Sequence, residues 1–291
     1  MASPMTQDTP GTESKDKTEN TSHENSEWIA LNDESRDIWN QNAGFWDDFM
    51  GDSGNRFHRE LVAPTAERLL ALQPGESVLE IACGAGLFAR QMAQAGANVY
   101  ATDFSVVFIE RAKQRAGEYA GKITFQVLDA TNAAQLLALG VHRFEAVVCN
   151  MALMDMPTIE PLFSALPHLL KPGGRFVFTI MHPCFNGHVV RVVEEYERNG
   201  EIELVHALKI SQYRTVKPKK GIGVQGQPVP QFYFHRPLSV LLGAGFRAGF
   251  VVDGIEEPAF VQTPDNPRSL HAGNFSELPM VLAVRFRLPY L

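Results

Sequence analysis

The stretch S-V-L-E-I-A-C-G-A-G-L-F, residues 77–88, restricts this chain more than any other. Val78, Leu79 and Ile81 form a short apolar run that suits a strand buried on both faces. Small residues come next at Ala82, Gly84, Ala85 and Gly86, and the pattern turns helical from Leu87. Glycines let the backbone approach a ligand closely, and a helix start offers N–H groups without intrahelical partners. A strand, a glycine turn and a helix start together predict a binding pocket.

The same alternation recurs along the chain. Helices are predicted at 64–72, 87–95, 132–139 and 161–170, with a further one that Ser105 caps. Strands are predicted at 98–102, 123–127, 144–149 and 175–181. Strands alternating with helices of about ten residues predict an α/β fold. We expect a doubly wound, mostly parallel seven-stranded sheet with helices on both faces. The rhythm breaks after the fifth strand. Residues 186–234 are expected to form a β-rich insertion on the substrate side, with Asn199-Gly200 as a hairpin turn. A helix at 237–242, a strand at 246–252 and a last strand at 280–286 complete the pattern. A closing strand reached without a helical crossover is expected to be antiparallel.

The N-terminal residues 1–26 hold almost nothing apolar, which predicts disorder, and residues 27–291 are expected to be the folded domain. Apolar content of 45% supplies a core of that size, and a net charge of −7 argues against a nucleic-acid surface. No apolar run approaches the ~18 residues of a membrane span, and no secretory signal is expected at the N-terminus. The three cysteines are scattered through apolar segments, which predicts reduced thiols and a cytoplasmic setting. The oligomeric state is left open.

Open α/β sheets bind ligands at the carboxyl ends of their strands. Those ends are predicted at Glu80, Asp103, Asp129 and Asn150. Residues 84–89 fit G-x-G-x-x-A, and Asp103 stands at the distance of a ribose contact, so a dinucleotide is one reading. Glu80 favours another. A carboxylate just before the glycine turn repels a pyrophosphate but serves a cationic ligand, and Asp129 offers an acceptor to an adenine amine. Among the aromatics at 39–49, Trp46 is a candidate to close over the ligand, and Arg59 could meet a ligand carboxylate.

Residues 79–86, L-E-I-A-C-G-A-G, resemble the first motif of class I S-adenosylmethionine-dependent methyltransferases, of the small-molecule type. Asp103, Leu128-Asp129-Ala130, Asn150-Met151-Ala152 and the run Leu170-Lys-Pro-Gly-Gly-Arg-Phe176 resemble the same family in order. Ala82 departs from the glycine common there. The resemblance implies S-adenosyl-L-methionine as cofactor. Glu80 would orient its amino group or a water, and the backbone from Ala82 through Gly84 to Gly86 would touch its methionine part. Asp103 would accept both ribose hydroxyls, Phe104 would pack on the adenine, and Asp129 with Ala130 would read the adenine edge. Asn150 and Met151 would line the floor near the sulfonium.

Methyl transfer from a sulfonium rests largely on proximity, but a hydroxyl acceptor also needs a base. His182, just past the fifth strand, and His235, after the insertion, are the candidates, and Asp155 is read as a helix cap. The aromatic insertion suits a small, partly apolar or aromatic acceptor. No metal site is expected. The function expected is methyl transfer to a small molecule, to oxygen before nitrogen or carbon. The alternatives are an NAD(P)-dependent oxidoreductase and a non-catalytic methyltransferase-like binding protein.

Overall fold

The computed structural model describes residues 13–261 and 266–290. A helix α1 (Glu13–Met50) runs ahead of the domain. Then come α2 (Ala63–Leu70), β1 (Ser77–Ile81), α3 (Leu87–Gln94), β2 (Asn98–Asp103), α4 (Val106–Arg115) and β3 (Ile123–Val127). The alternation continues through α5 (Ala133–Leu137), β4 (Phe144–Asn150), α6 (Glu160–Leu169) and β5 (Leu170–Met181). A short α7 (Pro183–Asn186) leads to β6 (His188–Arg198), β7 (Glu201–Gln212), β8 (Lys219–Gly221) and β9 (Gln231–Tyr233). The chain closes with α8 (Leu238–Arg247), β10 (Val251–Glu256) and β11 (Val281–Arg287).

Seven strands form one sheet in the order β3-β2-β1-β4-β5-β11-β10. The first five pair in parallel, and β11 runs antiparallel to both neighbours, as the missing crossover predicts. Strand order reverses between β1 and β4, which places the crevice at the end of the strand the sequence singled out. Side chains alternate across the sheet with period two. Leu79 and Ile81 join Val147, Phe176 and Phe178 under α6 and α8, while Val78 joins Val148 and Val177 under α2 and α3. The same alternation turns Glu80 towards the α3 face.

β6 and β7 pair antiparallel, and β8 pairs with β9; neither pair joins the main sheet. Asn199 and Gly200 connect β6 to β7 with φ of 56° and 84°. Both central residues are left-handed, as the primed turn of a two-residue hairpin demands, and the Asn-Gly dipeptide tolerates that.

One expectation needs correction. The strand foreseen at 246–252 begins only at Val251, because α8 runs on to Arg247. Gly245 lets the helix pass close over the Phe286 ring, where a Cβ would clash, and Gly249 (φ 86°) then ends it. Of the stretch expected to be disordered, residues 1–12 lie outside the described residues, and the helix α1 is described from Glu13 onwards. Extending a helix that is already nucleated costs far less than starting one. The packed part of α1 lies further along. Trp39 stands 6.1 Å from Phe108, and buried Asp47 pairs with Arg111 at 2.8 Å and also with Arg115. Those contacts fasten α1 to α4 across the mouth of the crevice.

Candidate active site

A cavity of about 980 Å³ opens at the carboxyl ends of β1, β2, β4 and β5. Its walls come from α1 (Trp39, Trp46) and from the segment after β5 (Phe185, Tyr233, His235). The volume lies at the upper end of the usual range for small-molecule sites. It can hold a nucleoside-sized ligand and a second small molecule together.

At the β1 end, Ala82, Gly84 and Gly86 all have positive φ, of 54°, 54° and 71°. Ala82 therefore holds a conformation that costs an L-residue roughly 1–2 kcal/mol, and Met151 at the β4 end does the same (φ 54°). Strain of this kind gathers where a fold shapes a site. Ala82, Gly84 and Met151 line the cavity. Gly86 does not; a Cβ on it would meet the Phe125 ring at 3.0 Å, so this glycine packs α3 against the sheet.

Asp103 bridges the turns after β1 and β2. Its Oδ2 accepts from the Gly84 N–H and its Oδ1 from the Ser105 N–H, both at 2.9 Å. Ser105 in turn caps α4 through the Phe108 N–H. Burial pushes the Asp103 carboxyl up to about 6, against the pull of its two backbone donors. Glu80 lies beside it, 3% exposed. Burial, and then the negative charge of Asp103, push Glu80 up to about 8, while Arg90 and the Ala89 N–H work the other way. Two buried carboxyls at one rim make a place where positive charge is missing.

Among the described residues, five buried side-chain polar atoms have no hydrogen-bond partner: Glu80 Oε2, Arg90 Nη2, Asn150 Nδ2, Asp155 Oδ1 and Gln231 Oε1. All five residues line this cavity. An unpartnered buried polar atom costs roughly 1–3 kcal/mol, and the gathering of such residues around one cavity makes them candidates to meet a polar ligand there.

The predicted site residues separate on this geometry. Glu80, Ala82, Gly84, Asp103, Phe104, Ala130, Asn150, Met151, Trp46 and His235 all line the cavity. Asp129 instead lines a shallow pocket beside Phe104. Its Oδ2 accepts from Asn32 of α1 at 2.6 Å and its Oδ1 from Thr131, so it ties α1 to the loop after β3. Arg59 is not among the lining residues and donates to the Gly54 carbonyl. The free guanidinium nitrogen in the cavity belongs to Arg90, whose Nη1 donates to the Ala85 carbonyl at 3.0 Å. Arg90 carried a signal in the sequence: a cation in the first turn of a helix opposes the helix dipole.

The two histidines also part company. His182 is buried with both nitrogens engaged, Nε2 at 2.8 Å from Glu257 and Nδ1 accepting from the Cys184 N–H at 3.2 Å. It joins β5 to its flanking loops and does not line the cavity. His235 Nε2 lies 2.7 Å from the Tyr213 carbonyl, which can only accept, so the proton sits on Nε2 and Nδ1 carries the lone pair. Burial holds the His235 pKa below its ordinary value. Asp155, read as a helix cap, caps nothing. It ends a single 3₁₀ turn (Leu153–Asp155) inside the cavity wall, and burial raises its carboxyl well above the ordinary range.

Residues 78–174 match the family model of a methyltransferase domain. Over 149 residues the chain is 26% identical to the ubiquinone biosynthesis O-methyltransferase of Coxiella burnetii, covering 50% of this chain and 62% of that protein. It is 33% identical over 152 residues to the demethylmenaquinone methyltransferase of Symbiobacterium thermophilum, covering 50% of this chain and 53% of the relative. The chain thus spans less than two thirds of each. Among solved structures, an S-adenosylmethionine-dependent methyltransferase from Mesorhizobium loti superposes with a TM-score of 0.60 at 24% identity, over 77% of this chain and 96% of that one. The glycopeptide N-methyltransferase MtfA, complexed with S-adenosylmethionine, gives 0.52 at 17% identity, over 81% and 98%. Sheet order and glycine turn agree with the Rossmann-like fold of these solved methyltransferases, and residues 78–174 of the chain match the methyltransferase-domain model.

Proposed function

We propose that this protein transfers a methyl group from S-adenosylmethionine to an oxygen of a small molecule. The observation that carries the proposal is the buried Glu80–Asp103 pair beside the glycine turn, raised to about 8 and about 6. A ligand with an ammonium and a vicinal diol relieves both groups, and a pyrophosphate relieves neither. Glu80 takes the ammonium and the free Arg90 Nη2 takes the carboxylate next to it. Asp103 keeps a lone pair on each oxygen for the two ribose hydroxyls. Phe104 and Ala130 border the adenine, and Asn150 turns its free Nδ2 towards the ligand. Glu80 speaks against a nicotinamide dinucleotide, whose ribose Asp103 would serve equally well.

When bound, S-adenosylmethionine supplies an electrophilic methyl group. The chain's own task is to hold an acceptor in line with it, exclude water and remove a proton. His235 Nδ1, the nitrogen left with the lone pair, takes the acceptor's hydroxyl proton; His182 serves the fold. The segment 186–234 with α1 forms the acceptor's walls, so the insertion lies on the substrate side.

An isotope-labelled methyl-transfer screen across phenols, carboxylates and amines tests this directly. Label is expected in phenols or alcohols. Transfer to amines alone would remove the oxygen assignment. Failure to bind S-adenosylhomocysteine, with binding of NAD, would remove the proposal altogether.

A further inference from the structure

One wall of the cavity carries a positive charge that no acid meets. Side chains in β6 alternate across the hairpin. Val190 is 62% exposed, while Val189 and Arg191 are half-buried and line the cavity. Acids along the hairpin are taken by other cations: Glu194 by Lys209 at 3.4 Å, Glu195 by Arg268 at 2.6 Å and Glu203 by Arg198 at 3.2 Å. Among the described residues, no carboxylate pairs with Arg191. What it has instead is a thioether and a ring. Its Nη2 donates to Met280 Sδ at 3.6 Å, and its guanidinium carbon stands 5.7 Å from the centre of the Phe275 ring. We infer that Arg191 anchors a carboxylate of the methyl acceptor, so that the acceptor is an anion with its reacting hydroxyl at the other end. The inference rests on the methyl-transfer reading above and adds the charge of the substrate.

A guanidinium presents a planar fork of N–H donors, which matches a carboxylate through two parallel bonds. The thioether of Met280 is a weak acceptor and leaves that fork largely unspent. Val189 and Met280 make the surroundings apolar. A carboxylate brings one charge into such surroundings where a phosphate brings up to two, so the carboxylate is the better fit. The rim has the same sign. Lys219 and Lys220 both line the cavity; Lys220 is engaged by Glu34, and the charge of Lys219 is felt at His235.

His235 fixes where the other end of the acceptor goes. A Cβ on Gly187 would stand 3.6 Å from His235 Nδ1, so the imidazole packs against the residue just before β6. Arg191 comes four residues later, roughly 13 Å along an extended chain. A phenol ring with a short acid side chain spans that gap, its hydroxyl towards His235 and its carboxylate on Arg191. The carboxylate is held and not methylated.

The test uses the full chain saturated with S-adenosylhomocysteine, which occupies the cofactor side and carries no sulfonium charge. It is titrated calorimetrically with 4-hydroxyphenylacetate, the methyl ester of that acid, and tyramine. The acid is expected to bind at least about tenfold more tightly than the ester or the amine, as a charge-assisted pair with a guanidinium implies. Arg191→Met should bring the acid down to the affinity of the ester, leaving the ester and S-adenosylhomocysteine within about twofold of the parent. Arg191→Lys, which keeps the charge without the fork, should fall between. Lys219→Met should weaken the acid no more than about twofold. A loss confined to the acid separates recognition from a structural role, which would weaken all ligands together. Equal binding of acid and ester, preference for the amine, no binding of the acid, undiminished acid binding by Arg191→Met, or an equal loss from Lys219→Met would each overturn the assignment. Failure of the parent to bind S-adenosylhomocysteine would instead remove the cofactor reading, and this inference with it.

Discussion

Replacing Glu80 with glutamine should make the ligand-free protein more stable at alkaline pH and worse at holding its cofactor. Glu80 is buried beside Asp103, and its Oε2 has no partner. Its pKa in the folded chain is raised from 4.5 to about 8. A carboxyl raised in this way binds its proton more tightly folded than unfolded. Its contribution to stability is therefore complete below pH ~4.5, declines as pH rises, and is gone by pH ~8. The full swing corresponds to about 5 kcal/mol at 1.36 kcal/mol per unit, and relaxation of the cavity will reduce the measured value to roughly 2–5 kcal/mol. Glutamine has nearly the same shape and does not titrate. Urea denaturation of both proteins without ligand should thus agree closely at pH 5 and diverge by that amount in favour of Glu80→Gln at pH 8.5. S-adenosylhomocysteine, whose ammonium repairs the wild-type site, should bind the variant about 1.5–3 kcal/mol more weakly, the value of a hydrogen bond to a charged group. Equal stability of the two proteins at pH 8.5, or an identical slope against pH, would refute the reasoning.

Asp103→Ala should cost a similar ~1.5–3 kcal/mol of S-adenosylhomocysteine affinity by calorimetry, and should also lower stability, because the Gly84 and Ser105 N–H groups lose their acceptor. Arg90→Met should weaken S-adenosylhomocysteine but leave 5′-methylthioadenosine, which lacks the amino-acid carboxylate, bound as before; equal losses for both ligands would mean that Arg90 only supports the loop. His235→Ala should slow transfer to a hydroxyl by about 10²–10⁴-fold with little change in cofactor affinity. Its pKa is lowered from 6.5, so wild-type turnover should stay constant down to below pH 6.5 and fall only at lower pH, where the base becomes protonated. His182→Ala should lower the melting temperature and leave the chemical step intact, since both of its nitrogens are occupied within the fold.

Much of this site was written locally. The β1 strand, its glycine turn and the carboxylate at the end of β2 are read from short runs of neighbouring residues, because period-two burial and positive φ are properties of neighbours in the chain. The Asn199-Gly200 hairpin was legible for the same reason. Asp129 shows where such reading stops. It stands in the loop two residues past β3, and α1, almost a hundred residues earlier, folds back and supplies Asn32 to its carboxylate. Arg59 and Arg90 differ in the same way, since only the packing of α3 against the crevice decides which guanidinium is left free. Asp155 depends on more still. Its burial comes from a clamp by Arg236, about eighty residues later, that no spacing in the sequence announces. Residues whose role is set by one turn of chain were visible, and those set by closure of the segment after β5 were not.

The central claim is that Glu80 and Asp103 await a cation and a diol, and counting protons on binding tests it most directly. Titration of S-adenosylhomocysteine into the wild-type protein at pH 7, in buffers of different ionisation enthalpy, should show release of about one proton per site, mostly from Glu80 as it ionises to meet the ammonium. The Glu80→Gln variant should release almost none. Binding with no proton released from the wild type, or the same release from the variant, would contradict the account.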